Sequence, residues 1–113
     1  MKLDIKETPR EFKVKKFVIK DYGKIYLEAG EMLSFVTQSG KEFDFTAKKW
    51  GFYATPSVNS RLKNQGFKTA LVTNENNQLY VMVVEKDKLT DFLEYLKDEQ
   101  NHSVVCWIDE WLS

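Results

Sequence analysis

The sequence predicts an α+β domain: an N-terminal antiparallel β-meander followed by a helix–strand–strand–helix–strand unit, with two helices packed on a mainly antiparallel sheet. Three observations carry this expectation. Apolar residues alternate with polar ones up to about Thr46, with turn residues between the runs. Thr55-Pro56-Ser57 and Asp87 each stand where a helix can open. Lys68–Thr73, Gln78–Glu85 and Ser103–Ile108 are short β-branched apolar runs of strand length.

Taken in order, residues 1–11 carry charges and Pro9 and are expected to form a loose or edge segment. Phe12, Val14, Phe17 and Ile19 alternate with polar partners, with a slip at Lys15-Lys16 that suggests a strand with a bulge or kink. Asp21-Tyr22-Gly23-Lys24 reads as a turn, Ile25–Leu27 as a strand, and Glu28–Glu31 as another turn. Met32–Thr37 and Glu42–Thr46 flank Gln38-Ser39-Gly40-Lys41 as a hairpin.

The centre of the chain is Trp50–Phe67. Here Thr55 can cap a helix, Pro56 suits its first position, Val58 and Leu62 share a face, and Gly66 ends it. Two to three turns of helix would dock against Trp50, Phe52 and Tyr53. Beyond it, KTALVT and QLYVMVVE are strands joined by Asn74–Asn77. The second is apolar at nearly every position, as for a strand covered on both faces. Asp87 then caps a helix that turns Leu89, Phe92, Leu93 and Leu96 inward and Asp91, Glu94, Asp98 and Glu99 outward. Ser103–Ile108 is a last strand, and Asp109–Ser113 a short tail.

A chain of 113 residues, 42% hydrophobic and 14% aromatic, can bury a core without disulfides or metal, so residues 1–113 are expected to form a single compact domain. No repeat or linker divides it. Charge balances at 17 against 17. Residues 1–50 hold 11 basic and 8 acidic groups, and residues 51–113 hold 6 and 9, an asymmetry that can orient head-to-tail self-association or reflect two solvated faces. The N-terminus has no apolar leader and no window is apolar enough to span a bilayer, so cytoplasmic residence is expected, with no membrane partner.

Recognisable reaction chemistry is thin. One histidine, His102, and one cysteine, Cys106, cannot supply the four ligands of a structural zinc site, and no cofactor is expected. Cys106, between Val105 and Trp107, reads as an inert strand thiol. Asp109 and Glu110, set between Trp107 and Trp111, become raised-pKa acids if the tryptophans bury them. No glycine-rich phosphate loop precedes the central helix.

The expected function is a small non-catalytic binding or interaction domain, recognising a protein partner or a small anionic ligand near Trp50–Arg61. Its site would comprise Trp50, Tyr53, Thr55, Ser57, Asn59 and Arg61: a helix N-terminus with two hydroxyls, an amide, a guanidinium fork and an aromatic wall. The plainer reading of the same residues is a capped helix and a filled core. Homodimerisation through a sheet face or edge fits too, with Trp50, Tyr53 and Trp111 as contact residues. A second reading is a small-molecule enzyme acting on a sugar or phosphorylated metabolite, using Asp44, Glu85, His102 or Asp109. A third is nucleic-acid binding through Lys13, Lys15, Lys16 and Lys20, against which the neutral total charge weighs.

Overall fold

Alternation in the front half produces strands longer than the sequence predicts. A computed structural model describes residues 1–112, apart from the side chains of Glu99 and Gln100. The expected outward face of Glu99 and the end of the tail at Ser113 therefore lie outside the described residues. The chain divides into two compact units, residues 1–34 with 44–55, and residues 35–43 with 56–113.

In the first unit, β1 (Lys2–Val14) and β2 (Phe17–Tyr26) form a two-stranded antiparallel ribbon. The slip at Lys15-Lys16 is the hairpin turn itself, with Lys15 in the left-handed region at φ 56°. Residues 1–11 are not loose: they supply most of β1. Nor is Asp21–Lys24 a turn, since it runs inside β2. Its Gly23 has another task. The register slips between Ile5 and Arg10, and a Cβ on Gly23 would lie 2.0 Å from the carbonyl oxygen of Asp4. Pro9 falls inside the slipped segment, where a missing N–H is tolerated.

A second sheet orders β3 (Met32–Val36), β4 (Glu42–Lys48) and β5 (Gly51–Ala54). The sequence reading missed β5, whose Tyr53 pairs with Thr46 and whose Phe52 pairs with Ala47. The first residues of the chain are fastened to the start of this sheet by the Met1 ammonium, 3.1 Å from the Glu31 carboxylate.

The second unit holds a three-stranded antiparallel sheet in the order β7 (Leu79–Glu85), β6 (Phe67–Thr73), β8 (Ser103–Trp107). One face is covered. Ala70, Val72 and Leu96 are buried together, with Met82, Phe92, Tyr95, Val104 and Trp107 packed round them. The cover is one continuous helical segment: a 3-10 turn (Lys86–Lys88), an α-helix (Leu89–Glu94) and a π-helical stretch (Tyr95–Gln100) ended by Asn101 in the left-handed region. Asp87 does not cap it. Lys88 stands at the N-cap of the α-helix, without a side-chain hydrogen bond.

Two helices packed on a sheet is therefore not the architecture. Strand occupies more than half of the chain, and among the described residues Leu89–Gln100 is the one substantial helical segment. The expected central helix shrinks to a single turn, α1 (Arg61–Asn64), although Leu62 is fully buried and Gly66, at φ 99°, does follow its end. A helix this short has no stability of its own and is held by what Leu62 buries.

β7 also departs from expectation. It is an edge strand covered on one face only, with Leu79, Val81 and Val83 on the other. Its continuous apolar run does not mark full burial.

Candidate functional site

The six residues predicted to form a site divide between the units: Trp50, Tyr53 and Thr55 belong to the first, and Ser57, Asn59 and Arg61 to the second. Within the first, the rings of Trp50 and Tyr53 are 6.3 Å apart and tilted by 31°. They do not fill a core. Trp50, in the turn before β5, is 71% exposed, and Phe52 on β5 is 63% exposed. Thr55 does not cap a helix. Its backbone N–H donates to the Asp44 carbonyl and its hydroxyl lies 2.7 Å from that of Thr46, so it prolongs the β4–β5 pairing.

Within the second unit, the Ser57 hydroxyl accepts the backbone N–H of Arg61 at 3.0 Å, and the Ser57 carbonyl accepts that of Leu62 at 2.9 Å. Ser57, not Thr55, thus satisfies the first N–H of α1, whose N-cap Ser60 makes no side-chain bond, and the Arg61 and Asn59 side chains are exposed. The four-residue α1 supplies no extended helix N-terminus for an anion.

The candidate acids are held in structural contacts. Asp109 is buried, accepts the backbone N–H of Thr69 at 2.9 Å and meets the Lys68 ammonium at 3.2 Å. Burial pushes its carboxyl up, but the Thr69 N–H and Lys68 outweigh that and hold it below its ordinary value. It is therefore not the raised-pKa acid that the flanking tryptophans suggested. Lys68 also reaches Glu110 and lies over the Trp107 ring at 4.7 Å.

Glu85 ends β7 and is likewise lowered. The Ser39 hydroxyl is the main cause, burial opposes it, and Lys88 and the Thr37 hydroxyl assist. The carboxylate thereby pins the β3–β4 turn to the end of β7. His102 stacks on Tyr80 at 5.6 Å, with its Nδ1 buried and unpartnered. Cys106 is half-buried, opposite Leu71. Among the described residues, no group of three or more His, Cys, Asp and Glu side chains could hold a metal ion. Among them too, no helix is long and apolar enough to cross a membrane.

The feature that sequence reasoning missed is the ribbon. Residues directly opposite in an antiparallel pair share a face, and faces alternate along a strand. In β2 one face carries Phe17, Ile19, Asp21, Gly23 and Ile25. Their β1 partners are Val14, Phe12, Arg10, Ile5 and Leu3. This face carries two apolar patches, Leu3, Ile5 and Ile25 at one end and Phe12, Val14, Phe17 and Ile19 at the other, separated by the slip and by the ion pair Arg10–Asp21 at 3.2 Å. Leu3, Ile5, Phe12, Val14, Ile19 and Ile25 are all exposed.

The opposite face is mixed: Lys2, Lys13, Lys20 and Lys24 share it with the exposed Val18 and Tyr26. Register sets Glu11 opposite Lys20 and Asp4 opposite Lys24, so of the four lysines expected to draw nucleic acid, Lys20 faces a carboxylate while Lys13 faces Val18. At the slip, Asp4, Lys6, Arg10, Asp21, Gly23 and Lys24 line a shallow, open cavity of about 170 Å³ of mixed charge.

Compared with known protein families, curated proteins and solved structures, the chain matches none.

Proposed function

We propose that this chain is a non-catalytic interaction domain that engages a protein partner through the apolar face of the β1–β2 ribbon. One observation carries the reading: six aliphatic and aromatic side chains, brought to one face by register, stand exposed on a two-stranded ribbon. Two strands alone are marginal in water, and an amphipathic ribbon reaches stability when its apolar face is covered. Monomeric proteins seldom leave apolar patches of this extent open unless something binds them. The exposed Trp50, in the turn before β5, and Phe52 on β5 add aromatic contact surface to the same unit. The candidate acids Asp109 and Glu85, both held ionised by structural partners, contribute nothing that a reaction would need of a proton donor.

The test is site-specific photo-crosslinking of the full chain in the cells that express it. A photoreactive phenylalanine analogue placed at Phe12 should yield discrete crosslinked species, and the same group at Lys13, on the opposite, lysine-rich face, should yield none. Equal labelling from both positions, or no product from Phe12, would refute the reading.

A further inference from the structure

Sheet edges carry unpaired backbone groups, and the outer edge of β7 is open. Its hydrogen-bond pattern follows from two bonds at the ends of the β6–β7 hairpin. The Asn74 N–H donates to the Gln78 carbonyl at 3.1 Å, and the Lys86 N–H to the Gly66 carbonyl at 2.9 Å. Opposite residues in an antiparallel pair alternate between bonded and non-bonded. Counting inward from both ends, Val72–Tyr80, Ala70–Met82 and Lys68–Val84 are the bonded pairs. The Thr69 N–H agrees, since it turns away from Val83 and donates to Asp109, beyond β8. Leu79, Val81 and Val83 therefore direct their N–H and C=O groups away from β6, along the free edge. Among the described residues, no turn, loop or side chain supplies them a partner.

The other edges are blunted. Lysines run along β1 and β2, with Pro9 and the slip in the one and Gly23 in the other. β3, β5 and β8 are only four or five residues long. Short, charged, bulged or proline-bearing edges discourage further strand pairing. β7 has none of these devices: its seven residues pair in unbroken register, and Leu79–Val84 holds no charge, proline or glycine. Only its Glu85 end is stopped, where the carboxylate accepts the Thr37 and Ser39 hydroxyls of the β3–β4 turn. The open stretch is Leu79–Val83, about 17 Å of strand.

We infer that this edge is a strand-acceptor site: an extended segment of another protein, with aliphatic residues at alternate positions, adds to β7 as a fourth strand of the β7–β6–β8 sheet. Backbone and side chains select that occupant together. Donors and acceptors at Leu79, Val81 and Val83 recur at every second residue, the spacing of an extended polypeptide. The same three side chains lie on the face turned away from the helical segment, with Leu79 and Val81 more than half exposed. Aliphatic residues at alternate positions of the added strand extend that face as cross-strand neighbours. The site belongs to the second unit alone and stands whether or not the ribbon binds a partner.

The probe is a phage-displayed library of random linear peptides, selected on the purified full chain. Recovered peptides should share a period-two aliphatic pattern with no proline inside it. In a selected peptide, N-methylating alternate amides of one parity should abolish binding, and methylating the other parity should leave it intact. Binding should slow amide hydrogen exchange at Leu79, Val81 and Val83, which exchange fast in the free chain. Tyr80, Met82 and Val84 should be protected in both states. Val81→Pro removes one outward N–H and leaves every β6–β7 bond in place. It should keep the parent's far-UV circular dichroism and weaken the peptide about tenfold. If that variant unfolds, the methylated peptides and the exchange pattern, both read on the parent, still decide. A library without such peptides would overturn the inference, as would binding that responds alike to methylation of either parity. So would slow exchange at the three amides in the chain alone, the behaviour of an edge already paired with its own copy.

Discussion

The carboxylate of Asp109 accepts the backbone N–H of Thr69 at 2.9 Å in a buried setting, and so welds the C-terminal turn to the central strand of its sheet. Lys68, one residue earlier, closes over it at 3.2 Å and rests on the Trp107 ring. Cutting a buried, hydrogen-bonded pair on one side leaves the other charge without compensation. Asp109→Ala should therefore lower unfolding free energy by about 3–5 kcal/mol. Glu110→Ala, which removes the exposed half of the same lysine's contacts, should cost no more than about 1 kcal/mol. Urea unfolding of the two variants checks the contrast, and similar losses would show that Asp109 is not the anchor.

The same pair fixes a pH dependence. Asp109 is held below its ordinary value of 3.8, so its stabilisation is whole above that value and disappears as pH falls through the lower folded-state value. Glu85 is also lowered and acts in the same direction. Lys68 works oppositely: burial would depress it, but Glu110 and Asp109 raise it above 10.5, so its share is whole below 10.5 and lost only in stronger alkali. The urea midpoint should stay level from about pH 7 to about pH 5 and fall steeply below about pH 4. Asp109→Asn should start lower and fall less. A midpoint that rises on acidification would contradict the arrangement.

Why the ribbon face escaped the sequence reading is itself structural. In β1 the apolar residues change parity, Leu3 and Ile5 being odd and Phe12 and Val14 even, because the slip between Ile5 and Arg10 inserts extra residues. Only β2 keeps one parity, through Phe17, Ile19 and Ile25, and Gly23 made that strand look like a turn. The strands with regular alternation or unbroken β-branched runs, β3, β4, β6, β7 and β8, were legible as strands. The helix expected at Thr55 was not, because capping residues serve strands and turns equally well: Thr55 bonds to Thr46, and Ser57 caps a single turn. The docking of Trp50, Phe52 and Tyr53 on the central helix was misjudged for the same reason, since composition does not report which way a four-residue strand faces.

Gly23 supplies the third prediction. It sits at φ 127° with the Asp4 carbonyl oxygen 2.0 Å from where a Cβ would be, and that atom is backbone, which cannot swing aside. Gly23→Ala should strain the ribbon by about 1–3 kcal/mol. Amide hydrogen exchange should show faster exchange across β1 and β2 with little change in β6 and β7. Unaltered ribbon protection would mean that the strands re-register at no cost.

A last contrast separates core from surface. Leu62 is fully buried although its helix is one turn long, whereas Trp50, the largest side chain of the expected site, is 71% exposed. If burial rather than size decides the effect, Leu62→Ala should destabilise by about 2–5 kcal/mol, the ordinary range for emptying a core leucine. Trp50→Ala should stay within about 0.5 kcal/mol, as surface substitutions do. The two can be compared in one set of thermal melts at high dilution, where self-association does not contribute to stability. A large loss on Trp50→Ala under those conditions would place the indole in a packed environment and return the aromatics of β5 to the core.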